Sequence, residues 1–476
     1  MARLQSNAAI DVAVVMVPLP AQGHLNQFLH LSRLLAARGV PVHYVGSAAH
    51  NRQVRDRSPC PDHGGDPAAS RPIHFHDLPL PQYSSPAPVA DAAVKFPGHL
   101  QPVFEAVRHL LSPLADLVRS LASSSRRVIL IHDSPMTFAA GAVASLPNVE
   151  AFCFHTISAI AGFFFRWELR GKPREPAVDA LELPQVANDG CLTNQFMDFV
   201  HSQQQMAATD SGRLFNTCRA IEGMFIDLVA REPGWDEKKT FAIGPLNPII
   251  SNKAAGGGGR RHACMDWLDQ QLPASVLYVS FGTTSTFSDE QVAELAAGLE
   301  ASGQRFLWVL RDADRADIYA DSDEGTGEKE NLPSEYYRRV EGRGKVVCGW
   351  APQLEILSHP STGGFMSHCG WNSCVESFSA GVAILAWPMH SDQPRNAVLV
   401  THVLRVGFPV HDWERRAELV PAEAIRRSVE RLLSGGAEGE EVRRRARELG
   451  DEVRRAMAEG GSSKADLDAF VAHISR

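Results

Sequence analysis

The 476-residue sequence predicts an α/β protein built from two doubly wound units that face each other across a cleft. Three observations carry that expectation. Short β-branched apolar runs pass through a Gly- or Pro-containing loop into stretches of three- and four-residue apolar spacing, and this alternation occurs in both halves. A stretch from Asn247 to Arg261, with Pro248, Lys253 and the run Gly256 to Gly259, separates the halves as a linker. The length itself corresponds to about two or three compact units at roughly 100 to 200 residues each.

Val12 to Val17 reads as a fully buried strand that stops at Pro18. From Leu25 to Arg38 the residues Leu25, Phe28, Leu29, Leu31, Leu34 and Leu35 keep helical spacing, and Gly39 stands where a helix would be capped. Pro41 to Val45 and Arg127 to Ile131 supply further strands, the latter followed by His132 and Asp133. Beyond the linker, Ser275 to Ser280 is a strand, and Ser288 with Gln291 marks a capping box that opens a helix to about Ser302. Phe306 to Leu310 is the next strand, and the acidic stretch Asp312 to Glu330 reads as a solvated surface loop.

Composition excludes several classes. Apolar residues at 44% and charged residues at 21% match folded globular chains. Forty-seven Lys plus Arg against 55 Asp plus Glu give a net charge of -8 with no basic block able to neutralise a run of phosphates, which argues against nucleic acid as a partner. Eight scattered cysteines, without a Cys-x-x-Cys pair, read as free thiols in a reducing compartment. No apolar run is long enough to span a membrane and no secretory signal is visible, so a cytoplasmic location is expected. No His/Cys metal spacing is visible, so no metal is expected.

Two constellations carry chemistry. In the 44 residues from Trp350 to Gln393, a strand at Gly364 to Ser367 ends in His368, passes through Cys369-Gly370-Trp371 and opens a helix at Asn372-Ser373. The free N–H groups and positive dipole end of such a helix suit a phosphate. Glu376, one turn on, is placed to accept from a ribose diol, and Asp392 with Gln393 follows the strand Ala383 to Trp387 with groups suited to sugar hydroxyls. Taken singly, Trp350 and Trp371 read as core aromatics and Asp392 as a solvated cap; their joint spacing favours a binding site. The second constellation is His24 with Asp133, each at the carboxyl end of a strand in the first half. An imidazole with an unperturbed pKa of about 6.5 removes a proton from a hydroxyl when a carboxylate fixes its tautomer. Nineteen histidines leave that choice open, with His132 and His155 as competitors in an acceptor pocket.

The 44-residue segment resembles the nucleotide-sugar box of plant family 1 glycosyltransferases nearly end to end. The resemblance implies the GT-B fold of two Rossmann-like domains and inverting transfer from a UDP-sugar, with UDP-glucose as donor substrate and no cofactor. It places Trp350 on uracil, Ala351 and Gln353 on base and ribose, and Glu376 on the ribose hydroxyls. It gives His368, Asn372, Ser373, Ser280 and Thr283 to the phosphates. Trp371, Asp392, Gln393 and Thr156 go to the sugar, and Gln393 favours glucose although xylose users also carry Gln. His24 becomes the base and Asp133 its partner.

A narrower likeness of PAQGHLNQFLHLSRLLAARGV, IHDSPM and FHTISA to the zeatin O-glucosyltransferases implies a zeatin-type cytokinin as acceptor, with cis-zeatin favoured. Phenolic acceptors such as flavonoids are the alternative, and a non-catalytic hormone or nucleotide-sugar binder is the alternative of another class. The aromatic residues Phe96, Phe138, Phe152, Phe154, Phe163 to Phe165, Trp167, Phe196 and Phe199 are candidates for the acceptor pocket. The expected units are an acceptor-binding domain at 1–250, a donor-binding domain at 251–455 and a C-terminal helix at 456–476 returning to the first, in a monomer. The charged, helical segment from about Arg443 onward supplies that return.

Overall fold

The computed structural model describes residues 10–57, 72–90, 92, 94–187, 190–203, 206, 209–235, 237–248, 261–319 and 332–476. The linker reading, Cys60 and the later part of the acidic stretch fall almost wholly outside the described residues.

Two all-parallel sheets organise the chain. The first comprises β1 (Ile10–Val17), β2 (Val42–Gly46), β3 (Ile73–Asp77), β4 (Ser125–Asp133), β5 (Val149–His155), β6 (Gly212–Phe215) and β7 (Lys239–Ala242), in the order β3-β2-β1-β4-β5-β6-β7. The second comprises β8 (Val276–Ser280), β9 (Arg305–Leu310), β10 (Gly344–Cys348), β11 (Thr362–Ser367), β12 (Ile384–Ala386) and β13 (Gly407–Pro409), in the order β10-β9-β8-β11-β12-β13. Both are Rossmann-like and doubly wound. The chain leaves β1 toward one edge and β4 toward the other, and β8 and β11 repeat the pattern. At such switch points the loops splay and leave a crevice at the carboxyl ends.

The unbroken apolar run of β1 follows from burial on both faces. Val12, Val14 and Met16 pack into one core, while Val15 and Val17 pack into another on the opposite face. Each such side chain contributes roughly 1.5–3 kcal/mol when buried. The helix Gln22–Ala36 presses Leu25, Phe28, Leu29 and Leu35 onto the first of these faces, and Gly39, at φ 77°, turns the chain back toward β2. The helix Asp289–Ala301 starts as its sequence indicates, with Ser288 Oγ accepting from the Gln291 N–H at 3.3 Å. Only half of the reciprocal capping box forms, because the Gln291 amide instead bonds both the N–H and the C=O of Val420.

The C-terminal segment expected to be one returning helix is two. Ala437–Met457 stays on the second half, burying Val442, Ala446, Leu449 and Val453. After Gly460, at φ 79°, the helix Ser462–Ile474 lies on the first half, where Leu467, Phe470 and Ile474 enter its core. Ser463 Oγ donates to the Gly244 carbonyl at 2.6 Å, and Asp466 accepts the Ala242 N–H at 2.8 Å.

The solvated-loop reading fails for residues 312–319. Asp314 pairs with both Arg57 and Arg311, its carbonyl accepts from His99, and Ala316 is buried in the first half's core. The Asp314 carboxylate is paired and Ala313 and Ala316 are buried, so the segment docks. Among the described residues no helix is long and apolar enough to cross a membrane.

Phe470 is fully buried and meets Phe152 and Phe241 edge-on at 5.3 and 5.4 Å. Phe470→Ala is expected to destabilise the first half by about 3–5 kcal/mol, read as a lower midpoint in denaturant unfolding.

Candidate active site

The carboxyl ends of the two sheets border one cavity of about 1090 Å³, larger than the roughly 300–1,000 Å³ that serves a single small ligand. Of the residues given to the base pair, the nucleotide and the sugar, all but Asp133 line it; Asp133 stands behind His24 with no exposure, and of the two competing histidines His155 lines the cavity while His132 does not.

Leu19 to Gly23 carry the chain from β1 into its helix, and this turn sets His24 over the end of β4. His24 Nδ1 lies 2.7 Å from Asp133 Oδ2 and 2.8 Å from Thr156 Oγ1. The Thr156 hydroxyl donates to Asp133 Oδ1 at 3.1 Å, and the Leu19 N–H donates to Asp133 Oδ2 at 3.1 Å. Nδ1 therefore faces two acceptors and carries the ring proton. The lone pair of neutral His24 sits on Nε2, which has no partner among the described residues and belongs to a side chain 25% exposed in the cavity. Burial lowers the pKa of His24, but the charge and hydrogen bond of Asp133, with Asp392 beyond, outweigh it and hold the imidazole above its ordinary 6.5. Thr156, expected against a sugar, spends its hydroxyl on this pair. Its position just past β5, the neighbour of β4, brings it there.

Across the cavity, β11 ends in a tight turn with Cys369 at φ 62°, and the helix Trp371–Ala380 begins at once. Its first-turn N–H groups lack intrahelical acceptors, giving a dipole end that attracts anions. His368 lies between two glycines: a Cβ on Gly282 or Gly370 would come within 2.6 or 2.5 Å of its ring. Burial pushes His368 down to about 4, so it is neutral, and its Nδ1 is unpartnered among the described residues. Gln353 donates to Glu376 Oε2 at 2.7 Å and to Ser373 Oγ at 3.1 Å, and accepts from Tyr278 at 3.2 Å. Burial raises Glu376 to about 7 against the Gln353 bond. Trp350 is 53% exposed, a free aromatic face rather than a core residue. Ala351 is buried beside it, while Ser280 ends β8 and Thr283 follows it, on the strand next to β11, and both line the cavity.

Three expected contacts are placed differently. The Trp371 indole is buried, donates to the Asn216 carbonyl at 2.8 Å and packs edge-on against Phe378, so its backbone rather than its ring serves the helix start. Asn372 donates to the Gly23 carbonyl at 2.8 Å, joining the helix start to the His24 turn. Gln393 Oε1 accepts from the N–H groups of Met389 and His390, and its Nε2 lies 3.3 Å from His390 Nε2, which leaves the second N–H of the amide as the group to offer.

Asp392 accepts from Asn396 Nδ2 at 2.8 Å, and burial raises its pKa against that bond. Asn396 Nδ2 also donates to the Cys369 carbonyl, and Asn396 Oδ1 accepts from Ser158 Oγ at 2.5 Å. Asn396 and Ser158 carried no signal in the sequence, because their meeting spans 238 residues. Of the aromatic candidates only Phe96, Phe165 and Phe196 line the cavity, joined by Phe104; the others are core or lie off its wall. The seven described cysteines are free, and only Cys348 is exposed.

Comparison with known proteins follows this geometry. Residues 10–248 match the family described as Glycosyltransferase, N-terminal domain, and residues 265–408 match UDP-glucoronosyl and UDP-glucosyl transferase. The chain is 48% identical to a zeatin O-xylosyltransferase of Phaseolus vulgaris, over 99% of each chain. It is 48% identical to cis-zeatin O-glucosyltransferase 2 of Zea mays, over 98% of each. The structure of Phytolacca americana UGT2 complexed with UDP-2fluoro-glucose and pterostilbene superposes with a TM-score of 0.73 at 27% identity, covering 98% of this chain and 99% of that one.

The His24 pair yields a direct expectation. Removing the carboxylate in Asp133→Asn deletes the main influences that raise His24 and leaves burial, which lowers it. Histidine NMR titration should find His24 above 6.5 in the natural chain and below 6.5 in the variant.

Proposed function

The chain belongs to the UDP-glucoronosyl and UDP-glucosyl transferase family, and from that premise we propose that it transfers glucose from UDP-glucose to the side-chain hydroxyl of a zeatin-type cytokinin, foremost cis-zeatin. Transfer proceeds with inversion and without a metal. The observation that carries the acceptor reading is 48% identity along nearly the whole chain to relatives named for zeatin O-glycosyl transfer. The first unit, 1–250, takes the acceptor; the second, 251–455, takes the donor; the tail, 456–476, joins them, and the protein acts as a cytosolic monomer.

His24 Nε2 takes the proton of the acceptor hydroxyl as its oxygen attacks the anomeric carbon. Asp133 holds the ring in the Nδ1–H tautomer and stabilises the imidazolium that forms. The bond to UDP breaks on the opposite face, so an α-linked donor gives a β-linked product in one displacement. Negative charge grows on the departing diphosphate, where the first-turn N–H groups of the Trp371 helix and neutral His368 stand ready to donate. Trp350 offers its exposed face to uracil, Glu376 meets the ribose hydroxyls, and Asp392 with Gln393 Nε2 orients the sugar. A phenolic acceptor is the second reading, favoured by the aromatic wall of Phe96, Phe104, Phe165 and Phe196. The pure-binder reading has no use for a base with a fixed tautomer.

Purified protein incubated with UDP-glucose should add one hexose to cis-zeatin, read by mass; absence of transfer to any zeatin isomer overturns the acceptor reading, and preference for UDP-xylose overturns the donor. His24→Ala should lower kcat about 10²- to 10⁴-fold while UDP binding is retained. The raised pKa of His24 sets the sign of the pH response. Activity falls as pH drops through a value above 6.5, and Asp133→Asn moves that limb downward while slowing the reaction.

A further inference from the structure

Beside the acceptor end of the cavity, three neighbouring strands carry polar residues on a face that is otherwise apolar. His132 of β4, Cys153 of β5 and Arg213 of β6 stand opposite one another in register. His132 Nε2 lies 2.9 Å from Asp210 Oδ1, and its Nδ1 lies 2.9 Å from the Asp133 carbonyl. A carbonyl only accepts, so Nδ1 is protonated. The charge and hydrogen bond of Asp210 raise the affinity of the ring for a second proton at Nε2 against the effect of burial, so both nitrogens of His132 are engaged.

That pairing uses one oxygen of Asp210. The other, Oδ2, is buried without a hydrogen-bond partner among the described residues, and Asp210 lines the cavity at 2% exposure. His155 is similar. It stacks on Phe215 at 4.4 Å, turns Nε2 toward Cys153 Sγ at 3.6 Å, and leaves Nδ1 buried and unpartnered on the same wall. His132, Cys153 and Asp210 lie close enough for a cation, within 4.8 Å, but both nitrogens of His132 are already spent. The open positions therefore suit an organic ligand.

An unpaired buried acceptor is disfavoured unless a donor arrives with the ligand. Resting on the zeatin reading above, we propose that Asp210 Oδ2 accepts an N–H of the acceptor's nitrogen heterocycle, with His155 Nδ1 beside it as a second polar contact. This wall then selects acceptors that carry such an N–H, while the Phe residues supply only shape.

The test uses zeatin and two analogues, methylated at N9 or at N6, with the natural enzyme and with Asp210→Asn. The variant keeps an oxygen for His132 and presents an amide N–H where the acceptor stood. In the natural enzyme one methyl analogue should show a KM about tenfold or more above that of zeatin, with the KM for UDP-glucose unchanged. Asp210→Asn should raise the zeatin KM by a similar factor and remove the difference between zeatin and that analogue. Two analogues that react like zeatin overturn the proposal, as does a methyl penalty undiminished in Asp210→Asn, which reports shape alone. If the variant does not fold, the analogue series with the natural enzyme decides. Transfer to zeatin with indifferent analogues defeats this inference only; no transfer to zeatin defeats the acceptor reading and this inference with it.

Discussion

The amide of Asn372 donates across the cleft to the carbonyl of Gly23, the residue before His24. That single bond joins the start of the Trp371 helix to the turn that carries His24. The transfer proposed above depends on such contacts, because in it a nucleophile and an anomeric carbon held by different sheets react only when both carboxyl edges keep a fixed separation. Other bonds hold the same edges. Trp371 reaches Asn216, Ser158 reaches Asn396, Arg395 reaches Glu168 at 2.6 Å, and Asp314 pairs with Arg57. The final helix adds an apolar tie, since it follows a helix packed on the second half yet buries Phe470 in the first.

Within this frame the two sides of the cavity differ in their electrostatics. On one side a buried carboxylate raises an imidazole so that it accepts and holds a proton. On the other, burial keeps His368 neutral at about 4 and raises Glu376 to about 7, which lessens the negative charge that opposes an incoming diphosphate. The positive influence there comes from backbone dipoles. This explains how a chain with a net charge of -8 accommodates an anionic donor: the field that matters is local.

Much of this was legible along the chain. The strands β1 and β8 could be read because burial on both faces demands unbroken apolar runs, and the turns after them because Gly and Pro punctuate them. The segment Trp350 to Gln393 could be read as a site because its spacing is local: strand, turn and helix start follow within a few residues. His24 and Asp133 could be suspected from their places at strand ends. Their 2.7 Å contact requires β1 and β4 to be adjacent, which is a property of sheet order. The hydroxyl of Thr156, the hub at Asn396 and the Asp210–His132 pair left no trace, since each joins residues far apart in sequence. The aromatic list was too broad for a related reason: composition identifies apolar side chains but not which face of a helix turns to a cavity, so Phe163 and Phe164 went to the core while Phe165 lines the cleft.

The sequence by itself determined the layer architecture and marked the segment of the second half that borders the cavity, because periodicity, turn residues and a contiguous motif are all encoded over short distances. Tertiary structure decided the tautomer of His24, the direction in which its proton affinity shifts, the roles left to Trp371 and Gln393, and the unfilled acceptor at Asp210. Those properties belong to pairs of groups brought together from distant strands, where desolvation and charge act over a few ångströms of space rather than along the chain.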